Sequence, residues 1–490
     1  MKKLFRALLC GAILTAALSV TAFAEENPPL LIAPAPSTAA PAARPELQGD
    51  FYVLVNGEYV TFTDAVPKIK NDRSCLPFVA VFEQLGFPES AMTWDHDTKT
   101  VTATKGDLTV SLTIGKNEIV IIKGGETTVI PTDVAPYIEP ALSRTYIPFG
   151  LVADALHYAV GWDANVRAVI IDDVDAIMEA NTETYDLMDK YMAYAGSFYS
   201  KNQQITGSYA SSFVLSEVVD GELLDMEFLT NGTYTARTDK NFGFDYNSTL
   251  DLSMQAYLDG ANITKSLKDA GELPELSASL TYALRGNLKS GDIYFHSPVR
   301  AELVGDADTV TDAWYKVTPE TVFTYGNSYT ELLSASARVA GTVTFEEYLT
   351  QFLKDITLSS VDATTADILA DINAVVGDSA FVKNGKNYVS DTYLYSGDVL
   401  VNTVITLTVS GSNVTGYSIS AGATNLLATT ELKMEMQGSS LSMTETATML
   451  TSGTSMVTTE TKVSGTCKTS SKAPETLPPA GATVIDATGI

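Results

Sequence analysis

The sequence predicts an α+β chain: a small two-repeat domain of antiparallel sheet and helix, followed by a larger antiparallel β domain with packed helices. Three observations carry this reading. The stretch from Val55 to Asp172 repeats itself, strand-like runs with period-two alternation fill most of the chain beyond it, and two stretches of helical spacing interrupt those runs. A length of 490 residues makes more than one domain the default.

The chain opens with Lys2, Lys3 and Arg6, continues with an apolar run from Ala7 to Val20, and reaches Ala22-Phe23-Ala24. A charged start, a short apolar core and a small-x-small cleavage site make residues 1–24 an expected signal peptide. The protein is therefore expected to be secreted or extracellular and associated with the cell envelope. The apolar run is short for a bilayer span, so no transmembrane segment is expected after cleavage. Leu9 stands ahead of Cys10 where a lipidation signal needs a small residue. Residues 25–49, rich in Pro and Ala, read as a semi-rigid linker.

The repeat occupies residues 50–173. Arg73-Ser74-Cys75-Leu76-Pro77-Phe78 recurs as Arg144-Thr145-Tyr146-Ile147-Pro148-Phe149, and Trp94-Asp95 recurs as Trp162-Asp163. Each copy begins with a turn pair, Asn56-Gly57 or Gly124-Gly125, suited to a hairpin. The proline at 77 or 148 then opens a short helix, with Phe78, Val81, Phe82 and Leu85 on one face of the first and Phe149, Val152, Ala153 and Leu156 on one face of the second. Gly86 ends the first helix. A strand carrying the tryptophan follows, then a turn and another strand. Matching places in matching strands make Trp94 and Trp162 core residues by this reading, rather than a platform for stacking a sugar.

These residues resemble the copper amine oxidase N-terminal-like domain, also called the stalk domain. Its repeats read V-N-G, then R-T-x-V-P with a helix ending in L-G, then W-D-x-x-T-K-T-V. Cys75, Phe78 and His157 depart from that pattern. The resemblance covers about a quarter of the chain and implies a spacer or wall-contact module.

Residues 174–468 have a different texture. Asp175 is the expected N-cap of a helix running to about Tyr194, with Tyr185, Met188, Tyr191 and Met192 on its apolar face. Strand-like runs follow, separated by turn signals such as Asp220-Gly221 and Ser290-Gly291-Asp292. Thr344 caps a helix carrying Phe345, Tyr348, Leu349, Phe352, Leu353 and Ile356, and a second helix is expected from Ala363 to Val376, stopped by Gly377. Both are expected to pack on the sheet. Clean alternation returns with Ile405, Leu407 and Val409, then Leu432, Met434 and Met436, which requires one wet face and one buried face. Met434, Met436, Met443 and Met449 could line an adaptable pocket, but core packing explains them equally. This order of elements resembles a periplasmic lipoprotein-carrier fold (LolA/LppX-like), which implies a curved half-barrel around helices and an apolar ligand. Residues 469–490, rich in Pro, Ser, Thr and Ala, read as a loose tail.

Charge and chemistry narrow the function. The chain holds 31 basic and 59 acidic residues, a net charge of −28, which disfavours nucleic acid and anionic headgroups as partners. Cys75 and Cys467, the two cysteines beyond the signal peptide, lie far apart in sequence and imply no disulfide framework, and whether they pair stays open. A copper amine oxidase needs three histidine ligands, two in an H-x-H pair, and a tyrosine in an N-Y-[DE] setting. His96, His157 and His296 are dispersed, and Asn387-Tyr388 is followed by Val389. The catalytic domain is absent by this reading. Nucleophile elbows, P-loops and twin C-x-x-C pairs are missing as well. Asp172-Asp173-Val174-Asp175 and Asp306-Ala307-Asp308 lack the glycine and terminal glutamate of a calcium loop. Leu477-Pro478-Pro479-Ala480-Gly481 resembles a sortase signal without the apolar span that should come after it.

The resulting expectation is a non-enzymatic envelope protein with no catalytic, metal-binding or cofactor-binding residue and no cofactor. Its stalk-type module, a spacer or wall-contact element whose expected partner is a cell-wall polymer, presents a β-rich domain expected to bind an apolar or lipid ligand. The alternative is a purely structural or adhesive surface protein without a ligand cavity. An apolar cavity beneath the sheet favours the carrier reading, and a filled interior favours the structural one.

Overall fold

A computed structural model describes residues 44–487, apart from 149, 151–152, 154–155, 157, 200, 242, 272–277, 288–289, 297–312, 318–343, 397–398 and 453–454. The expected signal peptide and residues 25–43 of the expected linker lie outside the described residues. Two compact units emerge, one reaching Glu183 and including Glu346–Asn373, the other comprising Thr184–Phe345 and the chain from Ala374 onward.

The first unit contains strands β1 (Tyr52–Val55), β2 (Glu58–Tyr59), β3 (Lys68–Lys70), β4 (Arg73–Pro77), β5 (Met92–Asp95), β6 (Thr100–Lys105), β7 (Leu108–Thr113), β8 (Glu118–Lys123), β9 (Glu126–Pro131), β10 (Tyr137–Glu139), β11 (Arg144–Pro148), β12 (Ala159–Asp163) and β13 (Ala168–Asp172). Asn56 and Gly57 have φ of 51° and 80°, and Gly124 and Gly125 have 58° and 85°. Both pairs make the mirror-image turn that matches strand twist, and they close the hairpins β1–β2 and β8–β9.

The repeats are interleaved. The R-x-x-x-P strands β4 and β11 pair antiparallel, with Ile147 opposite Leu76, in a sheet ordered β10-β11-β4-β3. The first hairpin of the first repeat joins the last hairpin of the second through parallel pairing of β1 with β13. Its counterpart is the sheet β5-β6-β7-β8-β9. There β7 is an added strand antiparallel to both β6 and β8, so those two also run in the same direction.

Helix α1 (Phe78–Gln84) follows Pro77, whose φ of −61° already suits a helix start. It buries Phe78, Val81 and Phe82 in a core shared with Phe51, Val53, Leu76, Val110, Leu112, Ile119, Ile147 and Ile171. Phe78 and Phe82 stack at 4.3 Å. In the second copy Phe149 and Val152 lie outside the described residues, but Ala153 and Leu156 reach the same core. Trp94 packs against that core. Trp162 does not follow expectation: it is 40% exposed and meets Phe51 edge-on at 5.9 Å. It lies on an edge strand, where no neighbouring strand closes over the ring.

The helix expected from Asp175 to Tyr194 is two helices, α2 (Val174–Ala180) and α3 (Asp186–Tyr199). Asp173, rather than Asp175, caps α2 by accepting from the Ala176 N–H at 3.1 Å. Asn181 ends it and accepts from the Glu183 N–H, a side-chain turn that competes with the helix. Asp378 then accepts from the N–H groups of Asp186 and Leu187 at 2.8 and 2.9 Å and restarts the helix.

The second unit is a single large sheet. Its strands are β14 (Gln203–Val219), β15 (Glu222–Thr238), β16 (Gly243–Leu258), β17 (Ala261–Asn262), β18 (Ala278–Asn287), β19 (Asp292–His296), β20 (Ala313–Val317), β21 (Val382–Asn384), β22 (Asn387–Ser396), β23 (Val399–Ser410), β24 (Asn413–Thr424), β25 (Ala428–Gln437), β26 (Ser440–Ser452), β27 (Ser455–Thr469) and β28 (Thr483–Asp486), and a short helix α4 (Thr264–Asp269) follows β17. The spatial order runs from β21 through β27 to β14, β15, β16, β18, β19, β20 and β28. One face is buried and includes Tyr209, Tyr234, Tyr246, Tyr282, Met434, Met436 and Met443, whereas Met449 is half exposed. Helix α3 contributes Tyr191, edge-on to Tyr417 of β24 at 5.2 Å. A Cβ on Gly232 would lie 2.6 Å from the Tyr209 hydroxyl, and one on Gly207 would lie 2.8 Å from the Tyr234 ring. Each ring therefore occupies the space a side chain would need, a common partnership of aromatic and glycine in bent sheets.

Two expectations about this unit change. The tail is not loose throughout, because β28 pairs in parallel with β20, Val484 opposite Trp314. An edge strand exposes unpaired N–H and C=O groups, and the tail supplies their partners. The two late helices, α5 (Phe345–Asp355) and α6 (Thr365–Val376), were expected on the sheet, but Glu346–Asn373 belongs with the first unit. Lys354 pairs with Asp175 at 2.6 Å, the Trp162 N–H donates to the Leu358 carbonyl at 3.2 Å, and the N–H groups of Val361 and Thr365 donate to Asp163 and Asp172. Helical spacing identifies an apolar face without naming what covers it. The compact units consequently do not divide at the expected boundary of 173 and 174.

Two measurements test this arrangement. A Cβ at Gly161 would sit 1.8 Å from the Leu358 carbonyl oxygen. Gly161→Ala should cost about 2 kcal/mol or more in urea denaturation, and a cost below about 0.5 kcal/mol, the range of neutral surface changes, would refute the close approach. Asp172 is fully buried, one of its oxygens lacks a partner among the described residues, and burial pushes its carboxyl above the ordinary range. Ionised Asp172 thus costs stability above its raised pKa, and the cost disappears as pH falls through that value toward the unfolded one. Melting of the wild type should approach that of Asp172→Asn as pH drops from 7 to about 4, the ordinary carboxyl range; a pH-independent gap would count against it.

Candidate functional site: a hydroxyl-lined groove on the sheet

Alternation on the long strands sends tyrosines to the buried face and small polar residues to the other. Thr206 and Ser208 on β14, Thr233 and Thr235 on β15, Asn247 and Thr249 on β16 and Thr281 on β18 share that second face, as the strand register requires. The hydroxyls of Thr233 and Thr249 are 2.9 Å apart and those of Ser208 and Ser464 3.2 Å. Small side chains between larger ones leave a groove of about 670 Å³, walled at one end by Arg285, His296 and Trp314. A second groove of about 450 Å³ adjoins it along β14 and β15, extending to Ser442, Thr444, Lys462 and Ser464.

The end wall is held by ring stacking and charge. His296 stacks on Trp314 at 5.1 Å, and the Arg285 guanidinium lies 4.9 Å from the same indole. Arg285 also pairs with Glu475 at 2.6 Å and donates to the Leu477 carbonyl at 2.8 Å. Arg237 pairs with the buried Asp245 at 3.0 Å and with Glu475 at 3.6 Å, and Asp245 accepts from the Glu475 N–H. The stretch that resembles a sortase signal is therefore part of a strap fixed over the ends of β15, β16 and β18. Burial pushes Asp245 upward despite Arg237. It also pushes the phenols of Tyr209 and Tyr234 to about 12 and those of Tyr246 and Tyr282 further. At neutral pH they are uncharged and serve as packing and hydrogen-bonding groups, not as bases.

The residues weighed for chemistry are dispersed. His96 lies beside Trp94 at 6.0 Å in the first unit, His296 lines the groove in the second, and His157 lies outside the described residues. Cys75 and Cys467 are both buried free thiols. Of the acidic run, Asp172 anchors α6, Asp173 caps α2 and pairs with Lys105 at 3.2 Å, and Asp175 pairs with Lys354. Asp306 and Asp308 lie outside the described residues. Among the described residues, no group of three His, Cys, Asp or Glu side chains is placed to hold a metal.

Residues 54–171 match the family model of the copper amine oxidase N-terminal domain. The matched segment is the doubled repeat, and the similarity is to that domain alone. It runs from within β1 to within β13, the two strands that pair in parallel, so the match takes in both interleaved repeats. The match covers this non-catalytic N-terminal domain and none of the family's catalytic domain. No curated protein matches the chain. Among solved structures, the chain is similar to a DUF1329 family protein from Desulfovibrio piger at 7% identity and a TM-score of 0.16, over 56% of this chain and 90% of that one. A TM-score of that size does not establish a shared fold.

Sequence reasoning missed the groove. Its signal was present in segments such as Thr233-Tyr234-Thr235, where the tyrosine marks the buried face and the threonines the exposed one. The strap was missed because no local pattern announces an ion pair between Arg285 and a residue 190 positions later. Glu475→Ala should destabilise the sheet unit by about 1–2 kcal/mol, since it removes a charged partner from two arginines. It should also speed proteolysis within residues 470–482. Unchanged urea midpoint and unchanged cleavage would show that the strap does not depend on this carboxylate.

Proposed function

We propose that this chain is a non-enzymatic, exported protein of the cell envelope. Its copper amine oxidase N-terminal domain serves as a stalk, and its large sheet binds a cell-wall polymer along the hydroxyl-lined groove. The observation that carries the reading is the groove itself. A row of threonine, serine and asparagine side chains across several strands offers donors and acceptors at regular spacing, which suits an extended, polyhydroxylated chain more than an apolar molecule. The start of the sequence, with its charged, apolar and small-residue regions, supports export.

The carrier reading, with an apolar or lipid ligand, has less support. The apolar face of the same strands is filled where Tyr209, Tyr234, Tyr246 and Tyr282 pack, each at most 3% exposed. A filled face also suits the purely structural alternative, which the groove disfavours. Cosedimentation of the purified chain with insoluble cell-wall glycan tests the proposal. The wild type should pellet with the polymer. Thr233→Val combined with Thr249→Val keeps the shape of an exposed pair while removing its hydroxyls, so it should lower the bound fraction several-fold without shifting the melting temperature. Failure of the wild type to pellet would overturn glycan binding, and lipid recovered by extraction of the purified protein would favour the carrier.

A further inference from the structure

The wet face of the sheet is ordered across its strands as well as along them. Ser442, Ser464, Ser208, Thr233, Thr249 and Thr281 are directly paired neighbours on β26, β27, β14, β15, β16 and β18, so one hydroxyl from each of six strands falls on a single line. All six residues are exposed. Two residues along each strand lies a second line, Ser440, Thr466, Thr206, Thr235 and Asn247, which continues through Ala283 and His296 to Trp314. Neither line holds an ionised side chain before the wall of His296 and Trp314. The flanking lines do: Lys462 and Asp251 on one side, Arg237, Asp245 and Arg285 on the other.

Uniform chemistry thus runs across the strands, and charge interrupts it along them. We propose, building on polymer binding at this groove, that the occupant is a neutral, β-linked chain of N-acetylated amino sugars. It lies between the two lines at right angles to the strands, one sugar per strand across six strands. Neighbouring strands are about 4.8 Å apart, close to the advance per unit of an extended β-linked hexose chain, so protein hydroxyls recur in step with those of the sugar. The two lines are separated by two residues of strand, about 7 Å, which leaves room for a pyranose ring between them. Charge selects a neutral chain. A net charge of −28 repels anionic wall polymers, and Arg285 and Arg237 are already neutralised by Glu475 and Asp245. The acetamido group is selected by the wall. Trp314 lines the groove at 6% exposure, and among the described residues nothing accepts from its indole N–H. The buried Nε of Arg285 beside it is unmatched as well. A covered donor without an acceptor is costly, and a carbonyl oxygen brought by the ligand supplies one to the indole. Ala283, the small residue of the second line, leaves space in front of the wall for such a group.

Calorimetric titration of the purified full chain with soluble N-acetylglucosamine oligomers of two to eight units tests the placement. Affinity should rise with each unit, by about tenfold or more from three units to six as hydrogen bonds are added strand by strand, and should level off beyond six. Thr281→Val with Ser442→Ala removes the hydroxyls at the two ends of the first line, about 24 Å apart. The hexamer should then bind as weakly as the tetramer binds the wild type. The trimer, which the four central strands can hold, should bind unchanged, and so should the melting temperature stay. Trp314→Phe keeps a ring at the wall without the N–H. It should erase a several-fold preference of the wild type for the N-acetylglucosamine hexamer over a β-linked glucose hexamer. Affinity that levels off at three units, or a hexamer indifferent to the end substitutions, would overturn the transverse placement. A wild type that binds the glucose hexamer equally well would overturn the acetamido assignment. Either failure is distinguishable from failure of polymer binding itself, because a wild type that still pellets with wall glycan retains that reading.

Discussion

A β-strand sends successive side chains to opposite faces, and in strands as long as the 17 residues of β14 and β15 that rule governs everything else. Each such strand has one set of side chains that must be covered and one that must remain compatible with water. The covered set here is aromatic and sulfur-rich, with tyrosines lying against glycines of neighbouring strands. The wet set consists largely of threonine and serine. A register slip of one residue in any long strand would exchange the two sets, so packing of the tyrosine face fixes the hydroxyl face at the same time.

The groove arises from that constraint. Small hydroxyl residues fit beside one another without filling the space above the sheet, and Arg285, His296 and Trp314 rise at one end to make a wall. The wall requires a counter-charge, since a guanidinium held against an indole and largely covered needs an acceptor. Glu475 and the Leu477 carbonyl supply it. The strap that carries them then continues into β28 and occupies the open edge of β20, so one segment neutralises the arginines and protects the sheet edge.

The first unit answers the same need for coverage by exchange. Neither repeat closes its own sheet: β1 requires β13, and β8 meets β6 through the added β7. The antiparallel meeting of β4 and β11 brings the copies into this relationship. Glu346–Asn373 then joins the unit, admitted by the absence of a side chain at Gly161 and by the carboxylates of Asp163 and Asp172, which take backbone N–H groups from it.

Much of this was legible in the sequence, because it depends on neighbours in the chain. The repeat of Arg73–Phe78 at Arg144–Phe149, the turns at Asn56-Gly57 and Gly124-Gly125, the helix after Pro77 and the alternation around Ile405 and Met434 are local, and steric limits on the backbone together with side-chain periodicity fix them. The sequence by itself therefore determined the fold class, the doubled domain and most elements. Tertiary structure alone decided which surfaces meet: that the segment after Phe345 returns to the first unit, that Trp162 lies at an exposed edge and that the tail becomes a strand. Those outcomes depend on contacts between residues remote along the chain, for which local periodicity carries no information.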